Sequence, residues 1–148
     1  MRAVIQRVTG SSVEVDGKTV GSCGRGFMVL LGVMNGDTEK EADILAAKVA
    51  KLRVFEDENG RMNLNPAAAG GALLIVSQFT LYADCKSRRP GFTAAARPET
   101  AVPLYEKVIE LCRAQGFEVQ HGQFGADMLV SSENDGPVTI LYDTEGTL

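Results

Sequence analysis

Residues Ala72-Leu73-Leu74-Ile75-Val76 form an unbroken apolar run that closes on Ser77-Gln78-Phe79-Thr80-Leu81. A run of this length, bounded by polar residues, reads as a buried central strand. Three hydrogen-bonding side chains then stand where that strand emerges, and the rest of the chain reads as its scaffold. A second stretch, Asn134-Asp135-Gly136-Pro137-Val138, places unusual backbone chemistry at the edge of another strand.

A chain of 148 residues fits one domain over 1–148, large enough to bury a core without disulfides or metal. With 45% hydrophobic and 23% charged residues it reads as a soluble globular protein, not a disordered one. Arg2 and Arg7 interrupt any signal-peptide core, and no apolar stretch approaches the ~20 residues of a membrane span. A cytoplasmic protein without a membrane partner is expected. Cys23, Cys85 and Cys112 are odd in number and lack C-x-x-C spacing, so they read as free thiols, with no metal site and no cofactor expected. The net charge of −4 excludes a broad polyanion-binding surface; a nucleic-acid partner must be held locally.

Taken in order, residues 2–8 read as a first strand. Val13-Glu14-Val15 and Lys18-Thr19-Val20 flank Asp16-Gly17, a type I′ hairpin signal. Gly21, Gly24 and Gly26 precede the apolar run 27–33, so they mark a turn into a strand rather than a phosphate cradle, which would follow a strand and open a helix. Thr38 and Glu41 form a capping box for an amphipathic helix over 38–53. Residues 55–71 read as turns and loop. A second helix is expected over 99–115, with Gly116 as its stop and Pro103 tolerated only in its first turn. Residues 117–120, 128–130 and 138–142 supply further strands. The fold class is mixed α/β: mostly antiparallel sheets of seven or eight strands with two covering helices.

Several residues are open to two readings. Lys86-Ser87-Arg88-Arg89-Pro90-Gly91-Phe92 is the one dense basic segment, either a solvated loop or an anion site. Cys85 beside these cations is either a free cysteine or an activated thiol without a partner base. His121, the single histidine, cannot build a triad unless it meets Ser77 or Thr80. Read as a strand, Gln78 and Thr80 share one face and Ser77 and Phe79 the other. They form either a satisfied core edge or, through the N–H groups of Phe79 and Thr80, an oxyanion-type pocket. Gly136-Pro137 is either a plain loop or a cis peptide.

Ser77-Gln78-Phe79-Thr80 and Asn134-Asp135-Gly136-Pro137-Val138-Thr139 together resemble the two signature motifs of the D-aminoacyl-tRNA deacylases. The resemblance extends over Met1-Arg2-Ala3-Val4-Ile5-Gln6-Arg7-Val8, Leu52-Arg53-Val54-Phe55-Glu56-Asp57, Met62-Asn63-Leu64-Asn65 and Phe124-Gly125-Ala126-Asp127-Met128. It implies a homodimeric hydrolase that cleaves the ester between a D-amino acid and the 3′-terminal adenosine of tRNA, a proofreading step in translation; because a rigid wall that rejects L side chains has nothing to reject in glycine, cleavage of glycyl-tRNA is expected as well. By the same resemblance Ser77, Gln78, Phe79 and Thr80 line the ester pocket. Gly136-Pro137, in cis, screens the amino acid from the partner subunit, Arg7 holds that pair, and Phe124 and Met128 lie near the pocket. Lys86, Arg88 and Arg89 become candidates for phosphates of the tRNA 3′ end.

Two features depart from the family pattern: Gly91 stands where serine is usual in R-P-S-F, and Pro66-Ala67-Ala68-Ala69 matches no family pattern. The competing readings are a nucleic-acid-binding module without hydrolytic activity and a thiol hydrolase using Cys85.

Overall fold

The computed structural model describes residues 1–146. Its chain first reverses at Asp16-Gly17, whose φ angles of 51° and 76° make the turn between β1 (Arg2–Val15) and β2 (Lys18–Cys23). This is the expected hairpin, but the strand before it is longer. Residues 2–8 and the arm 13–15 belong to a single strand of 14 residues. Along one edge β1 pairs first with β3 (Gly26–Gly32) and then with β2; along the other it pairs with β8 (Leu129–Asp143). The strands expected at 128–130 and 138–142 are likewise one element of 15 residues.

β3 continues the sheet to β6 (Ala72–Ser77) and β7 (Val119–His121), and these three strands run parallel, whereas every pairing with β1 is antiparallel. The mixed α/β class and the predominance of antiparallel pairs follow the sequence reading. Within the expected loop, β4 (Phe55–Glu56) and β5 (Met62–Leu64) form a short separate hairpin.

Two helices cover one face. α1 (Glu39–Lys51) begins at the predicted capping box: Thr38 Oγ1 accepts from the Lys40 N–H at 3.3 Å, and the Glu41 carboxylate accepts from the Thr38 N–H at 2.7 Å. α2 (Pro98–Ala114) ends before Gly116, whose φ is 92°. Pro103 sits in the second turn of α2, not the first, so one intrahelical N–H is missing there. Burial of Leu104, Tyr105, Val108, Ile109 and Cys112 along the same face keeps the helix in place.

β3 and β6 are apolar on both faces because each face has its own core. Phe27, Val29, Leu31, Leu73 and Ile75 point to the helices. Met28, Leu74 and Val76 meet Val8 and Val13 on the other side, with Met128 and Val130 packed against them. The sheet curls until β2 lies over β7, close enough that a Cβ on Gly21 would sit 2.5 Å from the His121 carbonyl oxygen. Gly21 therefore serves backbone packing. Among the described residues no helix is long and apolar enough to cross a membrane.

Candidate active site

Because β3, β6 and β7 are parallel, the segments leaving their C-terminal ends converge on one edge of the sheet, the usual place for a ligand crevice in such an arrangement. A cleft of about 340 Å³ opens there. Leu31 and Val33 contribute from the end of β3, Val76 to Phe79 from the end of β6, and Phe124 to Met128 from the loop after β7. Ala101 and Tyr105 of α2 form a side wall. Five residues singled out in the sequence, Ser77, Gln78, Phe79, Phe124 and Met128, thus share one cleft. Thr80, the fourth residue expected to line an ester pocket, is not among its lining residues, and neither are Gly136, Pro137, Arg7 or the basic segment.

Ser77 is the last residue of β6, and the Gln78 N–H makes a further ladder bond to the Leu31 carbonyl at 2.8 Å. The chain then coils into one turn of 3-10 helix, Phe79–Tyr82. The face alternation expected for 77–80 therefore fails beyond Gln78: β3 ends at Gly32 and offers no further ladder partner. Gly32 also makes room for the turn, since a Cβ there would lie 3.0 Å from the Gln78 carbonyl oxygen and 3.2 Å from Leu81 Cβ. The leading N–H groups of a helical turn have no intrahelical acceptor, and here they belong to Phe79 and Thr80. Gln78 Nε2 donates to Thr80 Oγ1 at 2.5 Å. A hydroxyl held by an amide donor gains no base, so this contact orients Thr80 without activating it as a nucleophile.

Two supports of the turn were not visible in the sequence. Arg2 donates from Nε to Asp143 Oδ2 at 2.8 Å and from Nη1 to the Leu81 carbonyl at 3.2 Å, and its guanidinium lies 4.6 Å from the centre of the Tyr82 ring. Tyr105 donates its hydroxyl to the Ile75 carbonyl at 2.8 Å, tying α2 to β6 behind the cleft. Burial pushes the Tyr105 phenol pKa up, so it stays a donor.

Arg7 is buried at 6% exposure, although by its charge alone it reads as a surface residue. In the β1–β8 ladder Gln6 pairs with Thr139 and Val8 with Asn134, so residues 135–138 of β8 stand opposite Arg7 alone. The bulge contains the Gly136–Pro137 peptide bond, which is cis. Arg7 fills the space behind it, donating from Nε to the Asp135 carbonyl at 3.1 Å and from Nη1 to the Val54 carbonyl at 2.7 Å.

A family model for D-Tyr-tRNA(Tyr) deacylase matches residues 4–143 of this sequence. The chain belongs to the D-aminoacyl-tRNA deacylase family. Enzymes of this family hydrolyse aminoacyl-tRNA esters. Over 148 residues the chain is 57% identical to a D-aminoacyl-tRNA deacylase of Symbiobacterium thermophilum, covering 99% of this chain and 98% of that protein. A relative of the same name from Thermus aquaticus is 55% identical over 145 residues, covering 97% and 95%. Among solved structures, c-Myc DNA Unwinding Element Binding Protein superposes with a TM-score of 0.91 at 41% identity, covering 97% of this chain and 98% of that one. A probable eukaryotic D-amino acid tRNA deacylase shares the fold, with a TM-score of 0.83 at 19% identity over 95% and 97% of the two chains.

The basic segment of this deacylase-family chain is an exposed loop with a fixed neck. Asp84 and Gly91 exchange both backbone hydrogen bonds, at 2.8 and 2.9 Å, so Lys86, Arg88 and Arg89 project between them. Lys86 Nζ lies 3.8 Å from Asp84 Oδ2, a contact too exposed to hold it firmly. Phe92, just after the neck, meets Phe79 edge to face with ring centroids 5.2 Å apart. His121 Nδ1 lies 2.6 Å from the Gly122 carbonyl oxygen, and the residue lines a neighbouring hollow instead of the cleft. The three cysteines are free; Cys85 is exposed, whereas burial raises the thiol pKa of Cys23 and of Cys112 to about 11.

Proposed function

We propose that this chain hydrolyses the ester joining a D-amino acid to the 3′-terminal adenosine of tRNA, acting as a cytoplasmic homodimer in translational proofreading. The observation that carries this reading is the turn at the end of β6, where the N–H groups of Phe79 and Thr80 lead a helical turn at a cleft. An aminoacyl ester is already activated, so donors fixed around its carbonyl suffice as an oxyanion site. Water attacks the carbonyl carbon with help from the vicinal 2′-hydroxyl of the ribose, and the tRNA oxygen leaves with a proton. Ser77 and Gln78 shape the ester pocket, Gln78 holds Thr80, and Phe124 and Met128 bound the substrate on the far side.

Gly136 and Pro137 complete the site from the partner subunit. They line no part of the cleft in their own chain, and they ride on β8, an edge strand that exposes Leu129 and Leu141 at 64% and 59%. A long edge strand with exposed apolar residues calls for cover by another chain. An apolar pocket separates substrates by only ~1–3 kcal/mol per methylene, so strict chirality requires a wall that does not relax. The Arg7-backed segment 135–138 is that wall: an L side chain collides with it, whereas a D side chain points away toward solvent.

Glycine has nothing for such a wall to reject. Incubation with glycyl-tRNA and D-Ala-tRNA should therefore show cleavage of both. Hydrolysis of D-Ala-tRNA with inert glycyl-tRNA would remove the steric account. A DNA-binding role, which the name of one structural neighbour states for that protein, is disfavoured here by the net charge of −4.

A further inference from the structure

The chain has six phenylalanines, three tyrosines and no tryptophan, and among these nine aromatic residues only Phe79 and Phe92 are exposed, at 54% and 37%. The two touch each other at an interplanar angle of 72°. One of them lines the cleft, and the other follows the neck of the basic loop directly. Exposed aromatic rings cost solvation, and their confinement to the line between an ester pocket and a cluster of cations points to a ligand with both flat apolar rings and negative charge.

We propose that Phe92, braced by its T-shaped contact with Phe79, is the stacking platform for the nucleobase that precedes the terminal adenosine of the tRNA 3′ end, with the adjoining phosphates directed to Lys86, Arg88 and Arg89. This rests on the tRNA-ester reading above and extends it by one nucleotide. Phe92 is held for this purpose before any substrate arrives. The Asp84–Gly91 bridge fixes the chain on one side of it, and the Phe92 carbonyl accepts from the Ala95 N–H at 3.1 Å on the other. The T-shaped contact with Phe79 covers at most one face of the Phe92 ring and leaves the other for a base. Stacking on such a face reads no base identity, because every base has a π-face. Binding through ring and phosphates thus grips a single-stranded end without reading its bases.

The test compares kcat/KM for D-Tyr-tRNA with that for 3′-O-D-tyrosyl-adenosine, which lacks the preceding nucleotide, in the wild type, Phe92→Ala and Phe92→Trp. Phe92→Ala should lose about tenfold on the tRNA ester, and at least about fivefold more there than on the nucleoside ester. Phe92→Trp, which keeps a stacking face, should return to within about twofold of wild type on the tRNA ester. Equal losses on the two substrates, no loss on the tRNA ester, or a tryptophan variant as impaired as the alanine variant would each overturn the platform. A wild type that cleaves neither ester would instead overturn the proposed function, and the platform with it.

Discussion

Arg7 Nε donates to the main-chain carbonyl of Asp135 at 3.1 Å, so a buried cation of β1 holds the one stretch of β8 that leaves the ladder. The same guanidinium reaches the Val54 carbonyl at 2.7 Å and joins the bulge to the segment after α1. Arg7→Ala strips both carbonyls of a charged donor and should cost about 2–4 kcal/mol in chemical denaturation. Arg7→Lys retains charge but not the planar fork, and should recover less than half of that loss. A variant without Arg7 that kept wild-type stability would show the contact to be incidental.

Arg2 is predicted to act on the cleft from behind. It joins Asp143 to the Leu81 carbonyl and lies over Tyr82, so its loss frees the end of the turn that carries Phe79 and Thr80. Small displacements of positioning groups cost rate, and Arg2→Ala should lower kcat by about tenfold with a smaller change in KM. Arg2→Lys should rescue part of the rate. Unchanged kcat in a folded Arg2→Ala protein, checked by steady-state deacylation, would contradict this role.

The thiols divide by burial. Cys85 is exposed, and brief native alkylation at neutral pH followed by mass spectrometry should modify it ahead of Cys23 and Cys112. Cys85→Ala should retain deacylation, since nothing in the cleft requires a thiol. Cys23 and Cys112 are raised from 9.0 to about 11 by burial, so the folded state holds their protons more tightly than the unfolded chain does. Their contribution to stability is complete below about pH 9 and is lost as pH rises through about 11, which denaturation midpoints across that window will register.

Binding of uncharged tRNA should depend only weakly on salt. Two or three phosphates on Lys86, Arg88 and Arg89 give a slope of log affinity against log salt of about −1.5 to −2, whereas a slope steeper than about −5 would mean a much larger footprint.

Local chemistry made much of the fold legible. The hairpin at Asp16-Gly17 and the start of α1 at Thr38 and Glu41 are decided by φ preferences and capping bonds within a few residues. The continuity of β1 and β8 is hidden because Gly10-Ser11-Ser12 and Asn134-Asp135-Gly136 look like breaks: the first is kept extended by pairing with Glu133, Ser132 and Ser131, and the second is carried across a bulge that Arg7 backs. The turn at Phe79 depends on where β3 stops, which is not local information. Arg7 left a usable signal: Ala3 and Ile5 are buried at alternate positions, and Arg7 continues that inward register. The parallel run of β3, β6 and β7, which creates the cleft, left none, since strand order is set by packing over long sequence separations.

The central claim is chiral selection at an ester cleft, and the measurement that bears on it most directly is hydrolysis of D-Tyr-tRNA and L-Tyr-tRNA side by side at equal enzyme concentration. The account predicts rapid release of D-tyrosine with L-Tyr-tRNA left at its spontaneous rate. Cleavage of both esters, or of neither, would contradict it.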